Sequence, residues 1–216
     1  MDRNSNCWYI DTCDKECDGC TTYKYMLWQF DNSGLPKSKY KPISLIASDE
    51  NLPVFQRLSA IRKDIVNFVD SGKNLYICSN NTGTGKTSWA IKMLHTYFHY
   101  TAQTNIWNLK GMFVSVPTLL LKLKDFDNPL SKEFKDRLNT VDLLILDDIA
   151  LSGLQTYDYI QLFSLIDTRM LAEKSIIFTS NITSYDDLMD IVGSRIASRV
   201  WGNSEIIEIK GGDWRG

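Results

Sequence analysis

The sequence predicts an α/β fold, a parallel β-sheet covered by helices on both faces. Three observations carry this expectation. Residues 75–78, 141–146 and 175–179 form short runs rich in apolar residues, the pattern of strands buried on both sides. Longer stretches between them place apolar residues at helical spacing, which implies alternating strands and helices. The first apolar run leads straight into a glycine-rich turn, and a helical pattern follows.

Taken in order, Val54, Phe55, Leu58, Ile61, Ile65, Phe68 and Val69 read as one helical run ended by Ser71-Gly72. Residues 88–100 form an amphipathic helix, 112–116 a strand, and 117–123 a helix with proline near its start. The strand over 141–146 ends in the acidic pair Asp147-Asp148. Residues 154–171 read as a helix with apolar positions at Ile160, Phe163, Leu165, Ile166 and Met170. A helix over 186–201 and a strand over 205–209 complete the pattern.

Composition bounds the function. Of 216 residues, 23% are charged and 44% hydrophobic, with a net charge of −2, the profile of an ordinary globular protein. That balance argues against a protein that coats nucleic acid by charge alone, so DNA contact needs a local patch or the pooled surface of several subunits. No apolar run is long enough to cross a bilayer, and residues 1–17 lack the basic-then-apolar layout of a secretory signal. A cytoplasmic location and no membrane partner are expected.

The stretch SNNTGTGKTS (79–88) has the ending of a phosphate-binding P-loop, with Asn80 where the first glycine is usual. Such a loop needs backbone N–H groups turned inward around phosphate oxygens, with a helix N-terminus behind them. Asn81, Thr82, Gly83, Thr84, Gly85 and Ser88 would line it. Lys86 would reach the outer phosphates of ATP or ADP, and Thr87 would place its hydroxyl on Mg²⁺. Asparagine tolerates positive φ better than most residues, so Asn80 is expected to fit the turn in that conformation. Asp147 is expected to hold the Mg²⁺ shell. Asp148 would orient or deprotonate the attacking water; one methylene shorter than glutamate, it implies slow hydrolysis.

TGTGKTSWA, DLLILDDIA, SLIDTRMLAEKSIIFTSN, VGSRIASRV and GNSEIIEIKGGDWR occur in this order over roughly residues 50–216. In this the chain resembles AAA+ ATPases of the bacterial and phage helicase-loader group (DnaC/DnaI-like), which also resemble the replication initiator and the transposition-helper ATPases. The resemblance implies an AAA+ P-loop three-layer sandwich with sheet order 5-1-4-3-2. By the same resemblance Asn181 is the sensor 1 residue, Arg195 or Arg199 the arginine finger offered to a neighbouring subunit, and Arg215 the sensor 2 residue. Arg195 is favoured as the finger, with Arg199 bracing an interface. The implied function is ATP-dependent helicase loading in a bacterial or phage-infected cytoplasm. Its partners would be a DnaB-type hexameric helicase, single-stranded DNA and further copies of the chain.

The candidate DNA segment is 117–138, where Lys122, Lys124, Lys132, Lys135 and Arg137 interleave with Phe126 and Phe134. Asp125, Asp127, Glu133 and Asp136 nearly cancel that charge, and a solvated helix pair accounts for the pattern equally well.

Cys7, Cys13, Cys17 and Cys20 mark a small N-terminal module over 1–34, joined by a connector over 35–49 to the ATPase domain over 50–216. Four thiolates in so short a span suit tetrahedral Zn²⁺, with an iron–sulfur cluster as one alternative and disulfides, which a cytoplasmic location disfavours, as another. The module holds six acids against three basic residues, which favours a protein partner over DNA. Trp8, Tyr9, Tyr23, Tyr25, Trp28 and Phe30 are its candidate anchors, for the replicative helicase by this reading. Two rival functions share the core: a transposition-helper ATPase, and a non-hydrolysing adaptor that holds nucleotide as a structural element.

Overall fold

The structure, a computed structural model, describes residues 20–45, 47–104, 107–124 and 129–212. The helices are α1 (Thr21–Asn32), α2 (Leu52–Lys63), α3 (Ile65–Asp70), α4 (Lys86–Thr101), α5 (Val116–Leu123), α6 (Pro129–Thr140), α7 (Thr156–Leu171), α8 (Tyr185–Val192) and α9 (Ser194–Gly202). The strands are β1 (Asn74–Cys78), β2 (Gly111–Ser115), β3 (Leu143–Asp147), β4 (Ser175–Ser180) and β5 (Ser204–Glu208). All pairings are parallel, in the order β2-β3-β4-β1-β5, the order the resemblance implies.

Alternation along each strand divides the core in two. Tyr76, Cys78, Leu144, Leu146, Ile176 and Phe178 point to one face, where α5–α9 lie. Leu75, Ile77, Leu143, Ile145 and Ile177 point to the other, covered by α1–α4. Helices cover both faces, so β1, β3 and β4 are buried along their whole length.

Two expected helices are each two. Asp64, outside helical geometry at φ −105°, separates α2 from α3. Gly193, at φ 81° and ψ 152°, separates α8 from α9, a conformation that suits a residue without Cβ. In α7 the apolar pattern also misleads. Ile160 is exposed, whereas Leu162 and the charged Arg169 are buried. Arg169 donates to the carbonyls of Leu138, Val141, Asp142 and Ser175, at 2.7, 2.9, 3.3 and 2.8 Å, tying α6 to the starts of β3 and β4. Burial pulls its guanidinium down to about 9, partly offset by Asp142.

Helix α1 lies within the stretch expected as the cysteine module, and it packs on the ATPase domain. Met26 and Phe30 belong to the second core. The buried Gln29 amide spans Asn108 O (2.7 Å) and Lys110 N (3.0 Å), and Phe113 N donates to Ser33 O at 2.8 Å. Tyr25 and Phe30, expected as partner anchors, are core residues of this domain. Cys20 caps α1, its Sγ accepting from Tyr23 N at 3.5 Å. Cys7, Cys13 and Cys17 lie outside the described residues, as do Trp8 and Tyr9. Among the described residues no group of three His, Cys, Asp or Glu could hold a metal, and no helix is long and apolar enough to cross a membrane.

His95 is buried on α4 against the Phe30 ring, 4.6 Å between centroids. Burial lowers its pKa from 6.5 to about 4, partly offset by a hydrogen bond to the Lys39 backbone. The unfolded chain therefore takes up a proton that the folded chain refuses. Stability is intact above about pH 6.5 and is lost as pH falls towards 4, by an amount on the order of 3 kcal/mol. In urea denaturation across this window His95→Leu is expected to flatten that part of the pH profile; an unchanged profile would count against the assignment.

Candidate nucleotide-binding site

The site lies at the C-terminal ends of β1, β3 and β4. β4 sits between the other two because the chain crosses from β1 to the far edge of the sheet and returns. Such a switch in strand order opens a crevice at the strand ends.

From β1 the chain enters the glycine-rich loop. Gly83 and Gly85 have φ of 69° and 97°, and Gly85 caps α4 with Leu45 directly above it. The loop is held at its base by Ser79 N to Ser180 O (3.2 Å) and Asn81 N to Ser79 Oγ (3.3 Å). Lys86, at the first position of α4, is buried and donates to Asn81 O at 2.7 Å. Its ammonium thus sits within the loop, at a helix N-terminus, where phosphate would be received. Asn80 differs from expectation: it is not among the positive-φ residues. Its Oδ1 instead accepts from Thr183 Oγ1 at 2.8 Å, linking the loop to the segment after β4. The usual glycine's torsional freedom is not needed here.

Asp147 ends β3, buried. Thr87 Oγ1 and Thr179 Oγ1 both donate to its Oδ1, at 2.8 and 2.7 Å. Burial pushes its carboxyl above the ordinary carboxylate range. The two hydroxyls and Lys86 oppose that rise, and Asp148 adds to it. A buried carboxylate short of positive charge, paired with a threonine hydroxyl, is a hard-oxygen donor set that fits Mg²⁺. Asp148 is exposed and takes the left-handed φ of 56°, its N–H donating to Thr179 Oγ1 at 3.0 Å. Thr179 therefore fixes both acids. Sequence reasoning read it only as the end of a strand, and no local signal marks it.

Beside the loop is a cavity of about 300 Å³. Leu45, Phe55 and Ile209 form its apolar walls, and Ser44, Ser48 and Asn51 its polar rim, against the backbone of Gly83–Gly85. Asn51 amide groups bond Lys210 O and Lys210 N, and Asn81 Nδ2 donates to Gly211 O at 2.6 Å. The segment after β5 is thus strapped to both the loop and the cavity rim. A ring with polar edges, attached to the phosphates, fits this shape. None of Leu45, Asn51 or Ile209 stood out in the sequence.

The other expected residues are partly assembled. Asn181 is exposed one residue beyond β4, between the loop strand and the acid strand. Arg199 is tied within the chain, Nε to Asp167 Oδ1 at 2.5 Å with its guanidinium 4.5 Å over Phe163, bracing α9 on α7. Arg195 is exposed and has no ion pair or hydrogen bond among the described residues. Arg215 lies outside them. In the expected DNA segment, Lys122 sits 4.6 Å over the Phe134 ring, which leans on the core. Lys124 pairs with Asp158 at 3.7 Å, Lys135 donates to Gln161 at 3.1 Å, and Arg137 to Asn32 O at 2.9 Å. Most of its cations are engaged locally, and Asp125, Phe126 and Asp127 lie outside the described residues.

Sheet order, glycine loop and acidic strand tip together define an AAA+ P-loop ATP-binding domain. Residues 56–216 match the family of the IstB-like ATP binding protein, and the chain belongs to that family. Among solved structures it is similar to the DnaC helicase loader, with a TM-score of 0.67 and 20% identity, over 81% of this chain and 100% of that one. It is similar to DnaI, with a TM-score of 0.62 and 20% identity, over 82% and 95%. It also resembles AMPPCP-bound DnaA from Aquifex aeolicus, with a TM-score of 0.59 and 24% identity, over 77% and 48%. At these identities the likeness is one of fold. No curated protein matches the chain.

Thr179→Val keeps the shape and removes the hydroxyl, leaving the Asp148 N–H unpaired and Asp147 with one donor fewer. A stability loss of about 2 kcal/mol in urea denaturation is expected, with reduced ATP turnover. Asn80→Gly is expected to preserve nucleotide binding and Lys86→Ala to abolish it, measured with a fluorescent ATP analogue. Loss of binding in Asn80→Gly would show that the Thr183 link shapes the loop.

Proposed function

We propose that this chain is an ATP-dependent helicase loader of DNA replication, binding a replicative hexameric helicase and single-stranded DNA. The observation that carries the proposal is the contrast between two arginines on α9. Arg199 is spent on Asp167 and Phe163, whereas Arg195, one turn earlier, is exposed and unengaged among the described residues. An arginine left at the surface of an ATPase domain suits a finger offered to the γ-phosphate of a neighbouring copy, which couples assembly to nucleotide state.

Bound ATP·Mg²⁺ supplies the bond to be cleaved and the charge that draws subunits together. In this reading Lys86 and the loop N–H groups hold the phosphates, and Thr87 and Asp147 hold the cation. Asp148 would orient or deprotonate the water that attacks the γ-phosphate, with ADP as the leaving group, and Asn181 would hydrogen-bond the γ-phosphate or that water. Arg215 completes the site from the same chain. Cys7, Cys13, Cys17 and Cys20 hold Zn²⁺, or an iron–sulfur cluster, in a module that docks on the helicase. With so many cations of 117–138 engaged in-chain, DNA contact rests on Lys132 and on surface pooled between subunits.

The test is a pull-down from replicating cells with ATP present. Capture of a hexameric helicase by the full chain, and its loss on deleting residues 1–19, is the expected result. Capture of a transposase without helicase would overturn it in favour of the transposition-helper reading. Helicase capture without any DNA-stimulated ATP turnover would favour the non-hydrolysing adaptor.

A further inference from the structure

Along α4, Lys92, His95, Thr96, His99 and Tyr100 recur at spacings of three and four, so they share one stripe of the helix. Arg62 of α2 faces this stripe, donating to Thr96 Oγ1 at 3.3 Å. Together with Met26, Pro42 and Ile43 these residues enclose a second pocket of about 250 Å³. It is distinct from the nucleotide cavity, although the segment 42–45 separates the two: Pro42 and Ile43 line one, Ser44 and Leu45 the other.

The chemistry of this pocket is one-sided. Its walls carry two fixed cations, two imidazoles and two hydroxyls, and no acid. Arg62 and Lys92 have no carboxylate partner among the described residues, and the Lys92 ammonium lies 5.8 Å from the centroid of the Trp89 ring. Burial and the Arg62 charge lower the Lys92 pKa. One enclosed donor, Arg62 Nε, has no hydrogen-bond partner among the described residues. A buried donor without a partner and like charges without a counter-ion are both costly, and one bound anion offsets both. At about 250 Å³ the space is below the range of about 300–1,000 Å³ typical of larger organic ligands, and it suits a compact anion.

We propose that this pocket between α2 and α4 binds a phosphate group, held by Arg62 and Lys92 with Tyr100 as hydroxyl partner. The shared ligand chemistry is a phosphate dianion, either inorganic or the phosphate of a mononucleotide, whose ring would lie on Tyr100. Arg62 supplies planar paired donors and Lys92 a point charge, the usual division of labour at phosphate sites.

The test uses the full chain carrying Lys86→Ala, so that the glycine loop does not compete. Inorganic phosphate and adenosine 5′-monophosphate are titrated by calorimetry, alone and with Lys92→Gln or Arg62→Gln added. Saturable binding is expected, weakened about tenfold by either added change and largely retained in Lys92→Arg. Tighter binding of the monophosphate than of phosphate would identify a nucleotide as the source, and equal binding the free ion. As a readout independent of calorimetry, phosphate should raise the melting temperature of the Lys86→Ala chain but not of its Lys92→Gln derivative, provided both show native circular dichroism. Absence of saturable binding, or binding unaffected by Lys92→Gln and Arg62→Gln, overturns the proposal. Neither result bears on helicase loading.

Discussion

The carboxylate of Asp147 is the point on which the site depends. One oxygen accepts hydroxyls from Thr87 on the helix after the loop and Thr179 on the neighbouring strand. Three elements that begin far apart in the chain thereby meet at one buried anion. Because β4 lies between β1 and β3, Thr179 bridges the gap that the strand order creates. The same hydroxyl receives the Asp148 N–H, so the strained backbone of the second acid is anchored by the partner of the first. A charge buried in this way is tolerated only while its partners hold, and it is completed by a cation.

At the opposite end of the sheet Arg169 plays a matching role with reversed sign, its four carbonyl acceptors closing the starts of β3 and β4. The sheet is therefore pinned by a buried cation at one end and a buried anion at the other, with the apolar interior of β3 between them. Helix α4 adds a second polarity. Its first turn presents Lys86 to the glycine loop, and the stripe that carries Lys92 faces Arg62 of α2.

Much of this was readable along the chain. Leu143–Asp147 is apolar and then acidic, and Gly83, Gly85, Lys86 and Thr87 follow a strand, so the nucleotide site announced itself through local order. Helix limits were less legible. Gly193 and Asp64 break apolar periodicities that continue across them, because a helical pattern records which face is buried and not whether the backbone is continuous. Tyr25 and Phe30 were misread as partner anchors because aromatic residues near a cysteine cluster look the same whether they pack inward or outward. Asn80 was expected to sit at positive φ, but it meets Thr183 instead, a residue over a hundred positions away.

By itself the sequence determined the class of fold, the loop that receives phosphate and the acids that follow it, since these depend on residue type and on neighbours a few positions apart. Only the tertiary structure decided that Thr179 holds both acids and that Leu45, Asn51 and Ile209 wall the nucleotide cavity. It likewise decided that Arg199 is occupied while Arg195 is not, and that Arg62 meets Lys92 without an acid between them. Each of those facts is a distance between residues remote in the chain, and such distances come into being only when strands align and helices close over them.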